Sequence, residues 1–155
     1  MVFVVAEIGI NWDGDFEIAK KMIIESKKCG CDAVKFQAFP EELVKDHPER
    51  ERLVRSSISK ENIDRINDLA REANIEWFCT PMDASLVSLI EPYVKKIKIR
   101  YLDGKNLLEN KSSKLIDTVL QTHKKIIISS DSSPKSSKYF GNKKIKWLYV
   151  VPKYP

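Results

Sequence analysis

The chain has 155 residues, of which 43% are hydrophobic and 32% are charged, and its formal net charge is +5. This length is sufficient for one domain with its own core, and the basic residues are scattered along the chain, which argues against a nucleic-acid-binding arm. The apolar run at the start has no basic segment before it, and no stretch approaches the roughly 18 apolar residues of a membrane span. We therefore expect a soluble, cytoplasmic protein with neither a nucleic-acid nor a membrane partner.

Six short runs rich in β-branched residues alternate with segments of helical periodicity. The first helix is predicted to begin after Asp15, since aspartate caps helix starts. A polar stretch rich in Glu and Arg covers 40–57, Ser59 is a candidate cap for the next helix, and Asp83 or Ser85 begins a shorter one. A further helix precedes the fifth strand. The predicted strands span 2–10, 33–39, 75–80, 96–100, 125–129 and 146–151.

Regular alternation of strand and helix predicts parallel strands joined by right-handed crossovers. Two architectures fit this pattern: an open doubly wound sheet, or part of a (β/α)8 barrel. No G-x-G-x-x-G follows any strand, which disfavours a dinucleotide-binding sheet. A complete barrel typically needs about 250 residues, so we expect a single α/β domain over 1–155 that forms an incomplete barrel of about six strand–helix units.

Polar side chains lie at the carboxyl ends of the predicted strands, where parallel barrels carry their active sites. Lys35 and Lys98 each lie between apolar neighbours, and a charge there is costly unless it is paired. One interpretation is that each lysine neutralises a buried carboxylate such as Glu7. The other is that both lysines, with Thr80 between them, bind a phosphate or carboxylate group. The remaining polar residues at strand ends are Asn11, Gln37, Asp103, Ser129, Ser130 and Tyr154.

Three segments together resemble the sialic acid synthases. Residues 6–15, AEIGINWDGD, resemble the family's opening A-E-I-G-x-N-H-x-G-D. Residues 31–37, CDAVKFQ, resemble its second strand, G-A-D-A-V-K-F-Q, and residues 78–83, FCTPMD, resemble F-x-S-T-P-F-D. Any one of these motifs alone would be weak, but the three in this order are specific. The resemblance fades after about residue 100.

The resemblance implies a (β/α)8 barrel that condenses phosphoenolpyruvate with an N-acyl hexosamine such as N-acetylmannosamine, with Mn²⁺ or Mg²⁺ as cofactor. Glu7 and Gln37 match positions near the sugar and the reacting carbons, and Asp103 falls where the family has a glutamate that handles the attacking water. In such chemistry lysines stabilise phosphate charge, while carboxylates oppose a developing cation and orient water. The positions implied to bind phosphoenolpyruvate are Lys35, Thr80, Lys98, Ser129 and, after the sixth strand, Tyr154.

Several positions depart from the family pattern. Trp12 replaces a histidine, Tyr101 a phosphate-binding serine, Asp131 a glycine and Pro152 an asparagine. The family's metal-binding histidines belong to strands seven and eight, so no metal ligand is predicted in this chain. We also expect no antifreeze-like domain within these 155 residues. Because six strands leave exposed edges, we expect association, as a homo-oligomer or with further chain, to cover them.

Three functions are therefore compatible with the sequence. The first is a synthase-type enzyme whose remaining residues come from further chain or a partner. The second is a degenerate relative that binds a phosphorylated or acidic sugar ligand without condensing it. The third is a different barrel lyase or aldolase that uses Lys35 or Lys98 as a Schiff-base lysine.

Overall fold

Six strands form one parallel sheet in the computed structural model, which describes residues 2–153; Tyr154 lies outside the described residues. The strands are β1 (Val5–Gly9), β2 (Ala33–Ala38), β3 (Glu76–Pro81), β4 (Lys96–Ile99), β5 (Lys125–Ser130) and β6 (Ile145–Tyr149). The helices are α1 (Phe16–Lys28), α2 (Arg50–Ser56), α3 (Ile63–Glu72), α4 (Val87–Ile90), α5 (Tyr101–Leu108) and α6 (Lys114–Gln121). None of the helices within residues 2–153 is both long and apolar enough to cross a bilayer.

The strand order in the sheet is the order of the strands in the chain, β1 to β6, and every neighbouring pair is parallel. A doubly wound sheet reverses its strand order at a switch point, whereas a barrel adds each strand beside the last. The chain therefore forms a half-barrel of six strands with helices between them, which confirms the barrel-type prediction. In a sheet of this order the carboxyl ends of all six strands lie along one rim.

The aromatic side chains of the first three units show which face of the sheet the helices cover. Phe36 packs edge-on against Trp12 on one side and Trp77 on the other, with ring centroids 6.3 Å and 6.1 Å away. All three rings are buried. Successive side chains of a strand point to opposite faces, so Lys35 and Gln37 lie on the face opposite Phe36. The inner face of the half-barrel thus carries the polar residues.

Two helices lie where no helix was predicted. α2 falls in the polar stretch, and α5 begins directly after β4, at Tyr101. The proposed cap at Ser59 lies three residues before the N-cap position of α3, which Asn62 occupies without a side-chain cap bond. Ser59 caps the turn that leads into the helix, because its hydroxyl accepts the Glu61 N–H at 3.3 Å and its carbonyl accepts the Ile63 N–H at 3.0 Å. Asp83 does begin a helical segment, since its carboxylate accepts the Ser85 N–H at 2.8 Å.

Gly104 explains how α5 comes so close to β5. A Cβ placed on Gly104 would lie 2.6 Å from the Ser129 carbonyl oxygen and 2.8 Å from the Ile128 side chain. Such distances are shorter than real Cβ contacts, so only glycine allows this approach. The helix is also tied to the loop after β5, because the Ser137 hydroxyl donates to the Leu107 carbonyl at 2.7 Å. Helix α5 therefore fixes the carboxyl end of β5, where Ser129 lies.

Candidate active site

Lys35 and Glu7 form an ion pair across β1 and β2, where they are register partners. The Lys35 side chain is only 2% exposed, whereas that of Glu7 is 58% exposed. The Gln37 side chain lies near the same place, because a Cβ on Gly9 would be 3.8 Å from Glu7 Oε1 and 3.9 Å from the Gln37 amide. The structure thus brings together three of the residues predicted from the sequence. Glu7 is the carboxylate that the first interpretation named as the partner of Lys35, but its side chain is exposed rather than buried.

Lys98 differs from Lys35, because no carboxylate within residues 2–153 comes within ion-pair distance of its ammonium group. Cys79 of β3 pairs with Ile97 of β4, so Thr80 and Lys98 lie one residue further along neighbouring strands. Lys98 pairs with Ile127, and Ser129 follows two residues later on the same face of β5. Three predicted residues thus occupy adjacent strand ends, in the order Thr80, Lys98, Ser129.

The hydroxyls on either side of Lys98 lack hydrogen-bond partners. Thr80 Oγ1 and Ser129 Oγ are both buried, and neither finds a donor or acceptor in the part of the chain that the structure describes. Buried hydroxyls are nearly always bonded, so an unsatisfied one requires an explanation. Two orphaned hydroxyls beside an unpaired ammonium group match what a phosphate needs, namely several donors and a positive charge. This arrangement favours an anion site at the rim.

The pKa of Lys98 is lowered mainly by burial and further by the positive charge of Lys35, while Glu7 opposes the shift. Unfolding releases Lys98 to its ordinary pKa near 10.5, so the unfolded chain binds the proton more readily. Protonated Lys98 therefore lowers the free energy of unfolding at pH values below its pKa in the folded chain. This destabilisation diminishes as the pH rises toward 10.5.

We expect Lys98→Met to raise the free energy of unfolding at pH 7 by on the order of 1 kcal/mol, because it removes a half-buried, unpaired charge. The gain over the native chain should shrink as the pH is raised from 7 to 10. Urea unfolding at several pH values measures this, with Lys21→Met, an exposed lysine of α1, as the control. A Lys98→Met variant that is less stable at pH 7 would contradict the prediction.

Asp103 lies in the first turn of α5 and pairs with a residue that the sequence analysis did not single out. Arg100 Nε donates to Asp103 Oδ2 at 2.6 Å. The spacing of three residues at a helix start could have indicated this pair from the sequence. Nearby, the Tyr101 hydroxyl donates to Asp131 Oδ2 at 2.8 Å, which raises the pKa of Tyr101 and lowers that of Asp131. Both carboxylates at this part of the rim, Asp103 and Asp131, thus already accept a hydrogen bond from a neighbouring side chain.

Trp12, at the position of the family's histidine, is a structural residue. Its side chain is fully buried, and its indole N–H donates to the Ser56 carbonyl at 2.9 Å. It thereby ties the loop after β1 to the end of α2. Its ring also packs on Phe16 of α1, with centroids 5.7 Å apart.

A metal site of the kind implied by the family does not fit the residues present. Within residues 2–153, no three His, Cys, Asp or Glu side chains come together in a way that could hold a metal ion. The two histidines lie elsewhere, since His47 is in the loop before α2 and His123 follows α6. We therefore assign no step to a metal held by this part of the chain.

The chain is similar to several known proteins over most of its length. It is 30% identical to the N,N'-diacetyllegionaminic acid synthase of Legionella pneumophila over 77% of the chain and 39% of that protein. It is 29% identical to the N-acetylneuraminate-9-phosphate synthase of Drosophila melanogaster over 99% of the chain and 46% of that protein. A spore coat polysaccharide biosynthesis protein of Bacillus subtilis superposes with a TM-score of 0.73 at 28% identity, over 99% of the chain and 45% of that structure.

The chain therefore spans somewhat less than half the length of these relatives. The motifs at the strand ends, the sequential parallel sheet and these similarities agree with one another. The family model described as "NeuB family" matches residues 22–137, which is most of the chain. The protein therefore belongs to the NeuB family of sialic acid synthase-like proteins.

Proposed function

We propose that this chain carries the phosphoenolpyruvate-binding part of a sialic acid synthase, which condenses phosphoenolpyruvate with an N-acyl hexosamine of the N-acetylmannosamine type. The observation that carries the proposal is the unpaired Lys98 between the orphaned hydroxyls of Thr80 and Ser129. A phosphate bound there would satisfy all three groups at once. Lys35 supplies a second positive charge next to it, partly offset by Glu7.

The remaining predicted residues support the carbon–carbon bond-forming step of this proposal. Glu7 is exposed on the inner face with Gln37 beside it, so both can reach a sugar aldehyde that approaches the rim. A carboxylate there opposes the positive charge that develops beside the phosphate when the enol carbon attacks the aldehyde, before water adds and phosphate is expelled. In the proposed reaction Asp103 orients the attacking water. For the whole synthase, we also propose Mn²⁺ or Mg²⁺ as the cofactor and Tyr154 as a further residue that binds phosphoenolpyruvate.

The chain's own binding step is tested first, by calorimetric titration with phosphoenolpyruvate in the absence of metal. We expect binding by the native chain and at least a 10-fold loss of affinity in Lys98→Met, because the variant lacks the central positive charge. Lys21→Met should bind as the native chain does. Absence of binding by the native chain at millimolar phosphoenolpyruvate would refute the proposal.

Turnover is tested separately, by release of inorganic phosphate from phosphoenolpyruvate in the presence of N-acetylmannosamine and Mn²⁺. A synthase should release phosphate only when the sugar is present, and Lys35→Ala should abolish the release. Phosphate release that persists in Lys35→Ala would contradict the assignment of this site.

A second candidate function is binding without condensation. The ion pair between Arg100 and Asp103 favours it, because a carboxylate oxygen that already accepts from a guanidinium at 2.6 Å is less available to orient an attacking water. The two candidates differ in the outcome of the two experiments. A chain that binds phosphoenolpyruvate but releases no phosphate with any N-acyl hexosamine, alone or with its assembly partners, would be the non-condensing relative.

A further inference from the structure

Arg100 lies at the rim, beside the strand ends that carry the proposed phosphate site. It follows β4, two residues after Lys98, and its backbone is extended, so its side chain leaves the strand on the same face. Nε donates to Asp103 Oδ2 at 2.6 Å, and Nη1 lies 3.5 Å from the Met82 sulfur. Met82 follows β3. The guanidinium therefore lies across the ends of β3 and β4, the two strands that carry Thr80 and Lys98.

Most of the hydrogen-bonding capacity of Arg100 is unused. A guanidinium has five N–H donors in one plane. One of them meets a carboxylate and one meets a thioether sulfur, which is a weak acceptor. The other three find no acceptor among residues 2–153. The side chain is only 30% exposed, so water satisfies these donors incompletely.

We propose that Arg100 binds the carboxylate of phosphoenolpyruvate while Lys98, Thr80 and Ser129 hold its phosphate. The proposal rests on the proposed function and extends it by one specificity-determining residue. The Nη1–Nη2 edge of a guanidinium is planar and matches the two oxygens of a carboxylate. Its one contact in the structure, from Nη1 to the Met82 sulfur, is with a weak acceptor that a carboxylate would replace. The ammonium group and the two hydroxyls below it converge from three strands, as a tetrahedral phosphate requires.

The neighbours of Arg100 are consistent with this assignment. Asp103 occupies the Nε side and fixes the plane of the guanidinium without covering its outer edge. Tyr101, the next residue, is unavailable as a donor to the ligand, because its hydroxyl already bonds Asp131. Arg100 is thus the side chain of this segment that retains free donors at the rim. The alternative is that Arg100 serves only to hold Asp103 at the start of α5, in which case its removal would leave ligand affinity unchanged.

The experiment compares two anions that differ by the carboxylate: phosphoenolpyruvate and inorganic phosphate, each titrated calorimetrically into the full chain. The variants are Arg100→Gln, which keeps a donor for Asp103 but loses the charge, and Arg100→Lys, which keeps the charge but loses the planar fork. Arg71→Gln is the control, since Arg71 lies on α3 beside the amino-terminal start of β3, away from the rim. Circular dichroism and thermal unfolding show whether each variant is folded.

We expect Arg100→Gln to weaken phosphoenolpyruvate binding by at least 10-fold and inorganic phosphate binding by less than 3-fold, with Arg100→Lys between the native chain and Arg100→Gln. Lys98→Met should weaken both anions, and Arg71→Gln neither. Unchanged phosphoenolpyruvate affinity in Arg100→Gln would overturn the inference, and so would an equal loss for the two anions. If Lys98→Met still loses phosphoenolpyruvate in that case, the proposed function stands. A native chain that binds no phosphoenolpyruvate overturns both.

Discussion

A Glu7→Gln variant is expected to lose about 3 kcal/mol of its free energy of unfolding, whereas Lys35→Met should lose little or none. The reason is the unequal burial of the pair, with Lys35 at 2% exposure and Glu7 at 58%. Without Glu7, a buried ammonium group loses its carboxylate, and breaking a buried pair in this way costs about 3–5 kcal/mol. Without Lys35, the carboxylate that remains is solvated by water. Urea unfolding followed by circular dichroism measures both changes.

The double variant Glu7→Gln/Lys35→Met provides the control. If the cost of Glu7→Gln comes from the stranded ammonium group, removal of Lys35 should restore most of the lost stability. Equal losses in the two single variants would show that the pair acts as a surface ion pair. Lys35→Met should also fail to bind phosphoenolpyruvate. Lys35→Met is thus expected to lose ligand binding with little loss of stability, whereas the large loss of stability is expected in Glu7→Gln.

Trp12→Ala is expected to lower the free energy of unfolding by about 3–5 kcal/mol, which is the usual cost of truncating a buried tryptophan. The substitution removes the ring that contacts Phe16 and Phe36 and also the N–H that satisfies the Ser56 carbonyl. Trp12→Phe separates these contributions, because it keeps most of the packing and loses only the hydrogen bond. It should cost about 1–2 kcal/mol, including the unsatisfied carbonyl.

Circular dichroism in urea measures the stability of both Trp12 variants, and Trp77 and Trp147 remain as fluorescent reporters. A Trp12→Ala variant within 1 kcal/mol of the native chain would mean that the loop after β1 collapses into the vacated space. Phosphoenolpyruvate affinity should fall less in Trp12→Phe than in Lys98→Met, because the indole packs against Phe36, on the face of the sheet opposite the polar side chains.

The strands were predictable because residues on their two faces alternate between apolar and polar in the sequence. Val34 and Phe36 alternate with Lys35 and Gln37 in β2, whose predicted bounds agree with the structure to within a residue. β1 begins three residues later than predicted, and β6 ends two residues earlier. The pairing of Lys35 with Glu7 could be proposed as one alternative, but choosing between the two required the register of β1 on β2. The unpaired state of Lys98 depends likewise on which carboxylates come near it, and sequence periodicity carries no such information.

Helix α5 escaped prediction for a different reason. It is eight residues long, follows β4 without a loop, and contains Gly104, which disfavours helix by about 1 kcal/mol relative to alanine. Tertiary contact overrides that propensity, because the glycine allows the helix to reach the Ser129 carbonyl. The position of Arg100 could not be predicted either, since the residue ends a strand in the sequence pattern but occupies the N-cap position of α5, without a side-chain cap bond, in the structure.

The sequential order of the strands has a consequence for how the chain reaches this structure. Ala33 pairs with Val5 before it and with Glu76 after it, and no strand inserts between two that are already adjacent. Each backbone pairing therefore joins segments that are one strand–helix unit apart, which keeps the separation of contacts along the chain short for a parallel sheet. The sheet can consequently grow on the ribosome from its first unit onward, with every emerging strand meeting an edge that is already folded.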